Sequence, residues 1–202
     1  MAPSSATARN IGARVAKGDI VLFLDSDVIL LEDYIENILE VFENHPHVLG
    51  VQGFEIRKKK GSLNSLLIFL WHQFLRGVFF LSILTQDSCR LFEYPVILTR
   101  TINCEWLAGS NMAWKKSVFS EFSFDENLKG YAYMEDVLFS HSVFQKYPNS
   151  LLMTPKAKCI HKLSKTVRMA GREFKEHERV CLDKAFRTER RIYMLCKILA
   201  GS

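Results

Sequence analysis

The 202-residue sequence lacks closely spaced cysteine pairs. Its cysteines are odd in number, widely separated and free of any C-x-x-C pair, at Cys89, Cys104, Cys159, Cys181 and Cys196. This spacing argues against a disulfide framework and against a zinc site, and it favours a reducing compartment. The N-terminus also lacks the basic-then-apolar pattern of a signal peptide, so we do not expect secretion.

Internal repeats and low-complexity tracts are also absent, and long apolar runs are scarce. The one candidate membrane segment, residues 65–85, carries His72, Gln73 and Arg76 near its middle. These polar residues group on adjacent helical turns, as on the polar side of an amphipathic helix. A helix that packs on the core or lies at a membrane interface is therefore favoured over a transmembrane helix.

Charge is close to balanced, with 27 Lys and Arg against 22 Asp and Glu, a formal net charge of +5. Basic residues recur from Lys156 onward, and most of them are typical of a solvated helical face. The excess suits an anionic ligand or an acidic membrane surface. No aromatic-interleaved or helix-turn-helix pattern accompanies it, so we expect no nucleic acid partner.

Apolar periodicity predicts one α/β domain with a sizeable core, since 48% of the residues are hydrophobic. Helical spacing and the residues that end it predict helices over residues 6–16, 31–44 and 134–146. Shorter apolar runs predict strands from residue 19, over 48–56 and over 150–160. Residues 106–114 are predicted to form a turn that leads into a further strand.

The stretch VLFLDSDV, residues 21–28, is the most informative part of the chain. Its apolar run predicts a strand buried on both faces, as at the centre of a parallel sheet, and Asp25 and Asp27 follow where that strand ends. Ligands of open α/β sheets bind beyond the carboxyl ends of the strands. Two carboxylates there suit Mg²⁺ or Mn²⁺, which also take ligands from substrate phosphates. An ordinary turn is the alternative, because aspartates are common in turns.

Together with the residues before it, this stretch resembles a known family. ARNIGARVAKGDIVLFLDSDV, residues 8–28, is similar to the segment of family 2 glycosyltransferases that leads into their D-x-D motif. Three further resemblances follow in the family's order: LAGSNMA at 107–113, Met-Glu-Asp at 134–136, and a histidine at 161. Four motifs in order are more specific than any one of them, and they cover most of the chain.

The resemblance implies an α/β, GT-A-like (Rossmann-like) fold with a mixed, mainly parallel sheet flanked by helices. We expect this catalytic domain to cover residues 1–172 and a basic C-terminal helical segment to cover 173–202. Family members usually carry a strand-helix-strand region ahead of the ARN helix that forms most of the base pocket. Only residues 1–7 precede that point here, so we expect an N-terminally truncated sheet. A truncated piece of a longer chain, a shortened gene product and a partner chain that supplies the missing strands are the alternatives.

The resemblance also implies a metal site. Asp27, with Asp25 beside it, would hold Mn²⁺ or Mg²⁺ against the two phosphates of the donor, and His161 would complete the set of ligands. An imidazole ligand favours Mn²⁺ slightly over Mg²⁺. For His161 alone, the alternative is a hydrogen-bonded histidine at a strand end.

Asp136 is implied as the general base that takes the proton of the acceptor hydroxyl, and Glu135 is the second candidate catalytic residue. The first turn of a helix stabilises a carboxylate through free N–H groups and the helix dipole. The alternative is that both acids serve only to stabilise the helix.

Donor-binding residues are implied in three segments: Arg9, Asn10 and Asp25; Gly109, Ser110 and Asn111; and Lys165 and Arg168. Glycine lets the backbone approach a sugar closely. The last two residues lie in a basic loop that would fold over the diphosphate. The alternative for Gly109, Ser110 and Asn111 is an ordinary turn, and the alternative for Lys165 and Arg168 is a solvated loop.

These features predict an inverting, metal-dependent glycosyltransferase that moves a sugar from a nucleoside diphosphate-sugar to a hydroxyl acceptor in polysaccharide or glycoconjugate synthesis. We expect a carbohydrate or lipid-linked acceptor, a cytoplasmic location and peripheral contact with the inner face of a membrane. One alternative is a non-catalytic GT-A remnant that binds a partner or a carbohydrate. Another is a phosphoryl-transfer enzyme or nuclease with the four acids as two-metal ligands, which leaves the ARN and LAGSNMA segments unexplained.

Overall fold

A computed structural model describes residues 4–56, 88–89, 98–128 and 134–162 of the chain. The predicted amphipathic segment 65–85, the C-terminal helical segment 173–202, Lys165 and Arg168 lie outside these residues. None of the helices in the described ranges has the length and apolarity that crossing a bilayer requires.

The described residues form three α-helices, seven strands and one 3₁₀ helix. They follow in the order α1 (Ser5–Val15), β1 (Ile20–Leu24), β2 (Val28–Leu30), α2 (Tyr34–Asn44), β3 (Gly50–Glu55), β4 (Ser88–Cys89), β5 (Ile102–Cys104), β6 (Asn111–Lys115), a 3₁₀ helix (Lys116–Ser120), α3 (Glu135–Lys146) and β7 (Leu151–His161). The three predicted helices and the predicted strands β1, β3, β6 and β7 are confirmed, with ends that differ by a few residues. The sequence pattern does not predict β2, β4 or β5, because three residues or fewer carry no periodicity.

The described strands form one mixed sheet in the order β1-β6-β3-β7-β5-β4, and β2 pairs with the end of β7. The pairs β3–β7 and β4–β5 are parallel. The other four described pairs, β1–β6, β2–β7, β3–β6 and β5–β7, are antiparallel. The sheet is mixed, as predicted, and its long parallel pair lies near its centre.

Strand β1 differs from its prediction as a fully buried central strand. Among the described strands it pairs with β6 alone, and Val21 is its one buried residue. Both faces still pack: Phe23 contacts one part of the core, and Ile20 and Leu22 contact the other. The apolar run therefore reflects contacts on two faces, while the position at the edge of the described sheet leaves Leu24 42% exposed.

Helix α2 covers one face of the sheet. Its buried side chains, Tyr34, Ile38, Val41 and Phe42, pack against alternate residues of the strands, among them Val51 and Leu152. Such alternation is what a strand period of two requires. Glycine at position 53 permits the close packing, because a Cβ there would lie 2.4 Å from the Tyr34 ring.

The opposite face carries the larger part of the core, where α1, the 3₁₀ helix and α3 meet. Fully buried Trp114 lies edge-on to Phe139, at 4.9 Å between ring centroids. Phe139 stacks in turn on Phe124 at 4.1 Å. Trp114 is thus a core residue, and α3 is fixed against the sheet near the ends of β1 and β6.

Candidate active site

The Asp-x-Asp segment is a tight turn between β1 and β2. The Val28 N–H donates to the Asp25 carbonyl at 3.1 Å, which closes the turn. The Asp25 N–H donates to the Ser110 carbonyl, also at 3.1 Å, and this ties the turn to the loop before β6. Because β1 ends at Leu24, both carboxylates emerge at the carboxyl end of a strand, as predicted.

Pairing of β2 with β7 brings His161 to this turn. Val28 lies opposite His161 in the antiparallel register, and the Lys162 N–H donates to the Asp27 carbonyl at 2.9 Å. The result is a distance of 3.0 Å between His161 Nε2 and Asp27 Oδ1. A three-residue strand that the sequence pattern does not predict therefore positions the proposed metal histidine.

Asp25, Asp27 and His161 each direct one ligand atom to a common point, and these atoms all lie within 4.8 Å of one another. Adjacent ligands of an octahedral cation, each about 2.1 Å from the ion, are about 3 Å apart. Two carboxylate oxygens and an imidazole nitrogen suit Mn²⁺. The side chains are 42%, 21% and 17% exposed, in that order, so substrate phosphates have access to the cluster. These residues therefore fit a divalent cation.

The pKa of Asp25 is raised above its ordinary value. Partial burial is the main cause, and the nearby carboxylates of Asp136 and Asp27 raise it further, while Arg9 and His161 oppose the shift. Partial burial therefore disfavours the charged form of the Asp25 carboxylate in the metal-free protein. A divalent cation at this point would favour the charged form.

Sequence reasoning missed Glu55, which lies behind the cluster. Its carboxylate Oε2 is 3.6 Å from His161 Nδ1, and its side chain is 7% exposed. A carboxylate behind a metal-binding imidazole fixes the orientation and tautomer of the ring. The one available signal is an acid at the end of the predicted strand 48–56.

Cys159 pairs with Glu55 across the two strands and lies outside the cluster of Asp25, Asp27 and His161. Burial raises the pKa of its thiol to about 12, and the charge of Glu55 adds to the shift. In the metal-free protein the thiolate, which is the form that binds a metal, is therefore disfavoured.

Helix α1 directs one face toward the site. Ala6 and Ala13 are buried on that face, and Arg9 and Asn10 lie between them at helical spacing. Arg9 Nη1 forms an ion pair with Glu135, and Nη2 donates to the Gly109 carbonyl at 3.1 Å. Arg9 Nη2 also lies 3.4 Å from Asp25 Oδ1. The guanidinium therefore joins three of the sequence motifs.

Asn10 joins α1 to the segment before α3. Its Nδ2 donates to the Phe124 carbonyl at 2.9 Å and to Glu126 at 2.7 Å. Its Oδ1 accepts from the Phe124 N–H at 2.9 Å. All of these bonds are to groups of the protein, so Asn10 holds the segment at Phe124 and Glu126 against α1. Its predicted contact with the donor stays a prediction.

Helix α3 presents Glu135 and Asp136 in its first turn. The preceding residue, Met134, has a left-handed backbone (φ 68°) and no side-chain capping bond. Glu135 is buried, whereas Asp136 is partly exposed. Asp136 Oδ1 accepts from the Val137 N–H at 2.9 Å, so the helix start itself supports the carboxylate.

The loop over residues 107–109 is held by side chains of β3 and α3. Its three successive N–H groups donate to Ser140 Oγ (3.1 Å), Gln52 Oε1 (2.7 Å) and Asp136 Oδ2 (2.6 Å). Glycine at position 109 leaves room for two side chains, because a Cβ would lie 2.7 Å from Arg9 Nη2 and 3.0 Å from Asp136 Oδ2. The hydrogen bond from the Gly109 N–H thus fixes the orientation of the Asp136 carboxylate.

Ser110 and Asn111 follow the loop and point into the protein. Asn111 is fully buried, and its Oδ1 accepts from the Tyr34 hydroxyl at 3.1 Å. Its Nδ2 donates to Ser110 Oγ at 3.1 Å. Ser110 itself is 8% exposed. Both side chains shape the turn, and their contact with a donor sugar stays a prediction.

An Asp-x-Asp turn, a facing histidine and an acid-bearing helix N-terminus thus meet on a mixed α/β sheet, an arrangement that suits a divalent cation beside a carboxylate. The chain belongs to glycosyl transferase family 2, whose sequence model matches residues 5–106. This match confirms the family that the sequence motifs indicate. The match includes the Asp-x-Asp turn and ends directly before the 107–109 loop.

One curated relative is an uncharacterized glycosyltransferase of Haemophilus influenzae (strain ATCC 51907 / DSM 11121 / KW20 / Rd). It is 43% identical over 44 residues, which are 22% of this chain and 15% of that protein. The chain thus matches only a small part of that relative's length.

Solved structures extend the likeness over most of the chain. Glucosyl-3-phosphoglycerate synthase of Mycobacterium tuberculosis, in complex with Mn²⁺, UDP-glucose and glycerol 3-phosphate, has a TM-score of 0.50 at 15% identity, over 92% of this chain and 55% of that one. The Pyrobaculum calidifontis mannosyltransferase PcManGT, with GDP-mannose and Mn²⁺, has a TM-score of 0.55 at 14% identity, over 94% and 44%. The chain spans about half the length of these structures, and the likeness confirms the GT-A fold.

Proposed function

We propose that this chain forms the metal and acceptor parts of an inverting glycosyltransferase site, which moves a sugar from a nucleoside diphosphate-sugar to a hydroxyl acceptor. The observation that carries the proposal is the position of Asp25. It belongs to the metal-ligand cluster, and its pKa is raised in part by Asp136. The candidate ligands and the candidate base are therefore electrostatic neighbours, as a transfer between a metal-bound diphosphate and a hydroxyl requires.

Asp25, Asp27 and His161 would hold Mn²⁺ or Mg²⁺, and the imidazole favours Mn²⁺. The structures of the synthase and of PcManGT with Mn²⁺ and a nucleotide-sugar support this assignment. A bound cation would offset the charge that develops on the departing nucleoside diphosphate.

Asp136 would act as the general base. Its carboxylate is held by the N–H groups of Gly109 and Val137, yet it stays partly exposed, so an acceptor hydroxyl can reach it. As that oxygen bonds to the anomeric carbon, its proton passes to Asp136, and the bond from the anomeric carbon to the diphosphate breaks. Attack from the side opposite the leaving group inverts the anomeric configuration.

The donor sugar would lie over the loop at Gly109 and Ser110, next to Asp25, with Lys165 and Arg168 closing over the diphosphate. A carbohydrate or lipid-linked acceptor, peripheral contact at the inner face of a membrane, and a partner chain that completes the base pocket are parts of the same proposal. The mild basic excess and the segment 65–85 are the sequence features that support it.

A screen of nucleotide-sugars tests the proposal directly. The full chain is incubated with UDP- and GDP-sugars and hydroxyl acceptors in Mn²⁺ or in EDTA, and release of nucleoside diphosphate is followed. We expect metal-dependent release that Asp136→Asn abolishes and that the surface variant Glu40→Gln leaves unchanged. A folded chain that binds nucleotide-sugars but transfers no sugar would instead favour the non-catalytic binding protein.

A further inference from the structure

Arg9 is the most highly connected side chain between the metal cluster and α3. Its Nη1 pairs with Glu135, and its Nη2 donates to the Gly109 carbonyl at 3.1 Å and lies 3.4 Å from Asp25 Oδ1. The Phe124 ring lies beneath the guanidinium, 5.8 Å from Arg9 Cζ to the ring centroid. These contacts occupy both ends of the guanidinium with groups of the protein itself.

Burial separates this ion pair from the lysine–carboxylate pairs in the described residues. The side chains of Arg9 and Glu135 are 14% and 7% exposed, whereas those of Lys156 and Glu40 are 58% and 45% exposed. A buried charge that loses its partner is costly, because neither water nor another charge stabilises it. An exposed pair contributes little. The pair of Arg9 and Glu135 therefore constrains where α3 can begin.

The start of α3 depends on such a constraint. Met134 enters the helix with a left-handed backbone and without a side-chain capping bond, so an ordinary N-cap does not fix this end. Successive residues of a helix point about 100° apart. Fixing Glu135 toward Arg9 therefore sets the direction in which Asp136 projects.

The peptide groups at Gly109 complete the link. The Gly109 carbonyl accepts from Arg9, and the Gly109 N–H donates to Asp136 Oδ2 at 2.6 Å. Arg9 thus reaches Asp136 by two routes, through Glu135 along the helix and through the backbone of Gly109. Glu135 is engaged by Arg9 within the protein and is not assigned a contact with the acceptor or the donor.

We propose that Arg9 and Glu135 form a buried positioning pair that holds Asp136 in register with the Asp25 turn, and that neither residue contacts the donor or the reacting atoms. The inference rests on the proposed function, because it concerns the placement of the proposed base. It assigns the two acids at the start of α3 separate tasks: Glu135 anchors the helix, and Asp136 faces the acceptor.

Three variants test the pair: Arg9→Met, Glu135→Gln and the double variant. We expect each single variant to lower the urea midpoint by about 1–2 M, since each leaves one buried group without its partner. The double variant leaves no buried charge at the position of the pair, and Asp25, which also loses Arg9, is 42% exposed and stabilised by water, so the double variant recovers much of that loss. Its kcat stays about a hundredfold below wild type, because Asp136 is no longer held, while KM for the donor changes little.

This split between stability and kcat distinguishes the pair from two other roles. A pair that only stabilised the fold would give a double variant with wild-type kcat, and that result would overturn the proposal. If Arg9 bound the diphosphate, Arg9→Met would raise the donor KM while Glu135→Gln would not, and that also would overturn it. Glu40→Gln, at the exposed pair with Lys156, is the matched control and should alter neither quantity.

The chemical shift of the Gly109 amide proton tests the role of Arg9 and Glu135 without any catalytic assay. The chain has 10 glycines, so selective ¹⁵N-glycine labelling gives a simple spectrum, in which Gly109→Ala identifies the Gly109 signal. We expect the Gly109 amide proton, bonded to Asp136, to shift upfield in all three variants but not in Glu40→Gln. If the wild-type chain transfers no sugar, these shifts still support the pair, and an unmoved signal in the folded variants refutes it.

Discussion

The two acid pairs of the site, Asp25 with Asp27 and Glu135 with Asp136, are held in opposite ways. The first pair lies in a turn, with side chains 42% and 21% exposed, and the pKa of Asp25 is raised by partial burial and by neighbouring carboxylates. The second pair starts a helix, where Arg9 neutralises buried Glu135 and backbone N–H groups bind Asp136.

The contrast indicates two chemical tasks. Neighbouring carboxylates that lie beside an imidazole and stay partly exposed suit a cation, whereas a carboxylate already neutralised by a buried arginine has no need of one. Four equivalent acids would suit a two-metal phosphoryl-transfer enzyme or nuclease. The involvement of Glu135 with Arg9 argues against that alternative and for one metal cluster beside one base.

The largest expected effect comes from Asp136→Asn. The amide cannot accept the acceptor proton, so we expect the transfer rate to fall about 10²–10⁴-fold. Because the metal ligands are untouched, Mn²⁺-dependent binding of nucleoside diphosphate should stay near the wild-type level, as measured by calorimetry. If nucleoside diphosphate binding and the transfer rate fell equally, Asp136 would act together with Asp25 and Asp27 in metal binding. The two acid pairs would then not have separate tasks.

Gly109→Ala tests the backbone that fixes Asp136. The new Cβ would lie 2.7 Å from Arg9 Nη2 and 3.0 Å from Asp136 Oδ2, so both groups must move. We expect kcat to fall by up to about a hundredfold, as misplacement of a catalytic group by about 1 Å produces. A rate within twofold of wild type would show that the loop does not position the base. Gly12→Ala, where a Cβ meets no neighbour within 4 Å, is the control.

Glu55→Gln should act on the first pair alone. Loss of the carboxylate behind His161 is expected to weaken Mn²⁺ binding about 10–100-fold, since outer partners of metal ligands typically contribute that much. Titration of Mn²⁺ by electron paramagnetic resonance gives the affinity. A wild-type Mn²⁺ affinity in Glu55→Gln would mean either that His161 does not bind the metal or that Glu55 does not orient His161.

The smallest effect concerns Asp25 in the metal-free protein. Because its folded-state pKa is raised above the ordinary value of 3.8, the folded state binds the proton more tightly than the unfolded state does. The free energy of unfolding therefore falls as pH rises from the unfolded pKa through the raised folded pKa. Asp25→Asn should remove this dependence and be the more stable form above that range.

Urea unfolding in EDTA over a series of pH values measures this effect. Identical pH profiles for the wild type and Asp25→Asn would contradict the raised pKa. Lower stability of Asp25→Asn at every pH would indicate that the contact with Arg9 outweighs the cost of burial.

The sequence predicts much of the fold and the main site, but not the contacts that align it. Long periodic segments such as α2 and β7 are predicted because their burial pattern repeats. The three-residue strand β2 has no such pattern, yet its register with β7 brings His161 to Asp27. Pairing of Arg9 with Glu135, and of Glu55 with His161, joins residues far apart in the chain, so the local sequence around each residue does not indicate its partner.

The most direct test of the account is calorimetry of UDP and GDP binding to the full chain, with and without Mn²⁺, for wild type, Asp27→Asn and Glu40→Gln. The account predicts binding that requires Mn²⁺, is lost in Asp27→Asn and is unchanged in Glu40→Gln. Binding of equal strength without Mn²⁺, or retained by Asp27→Asn, would contradict the claim that the Asp-x-Asp turn holds a metal-bound diphosphate.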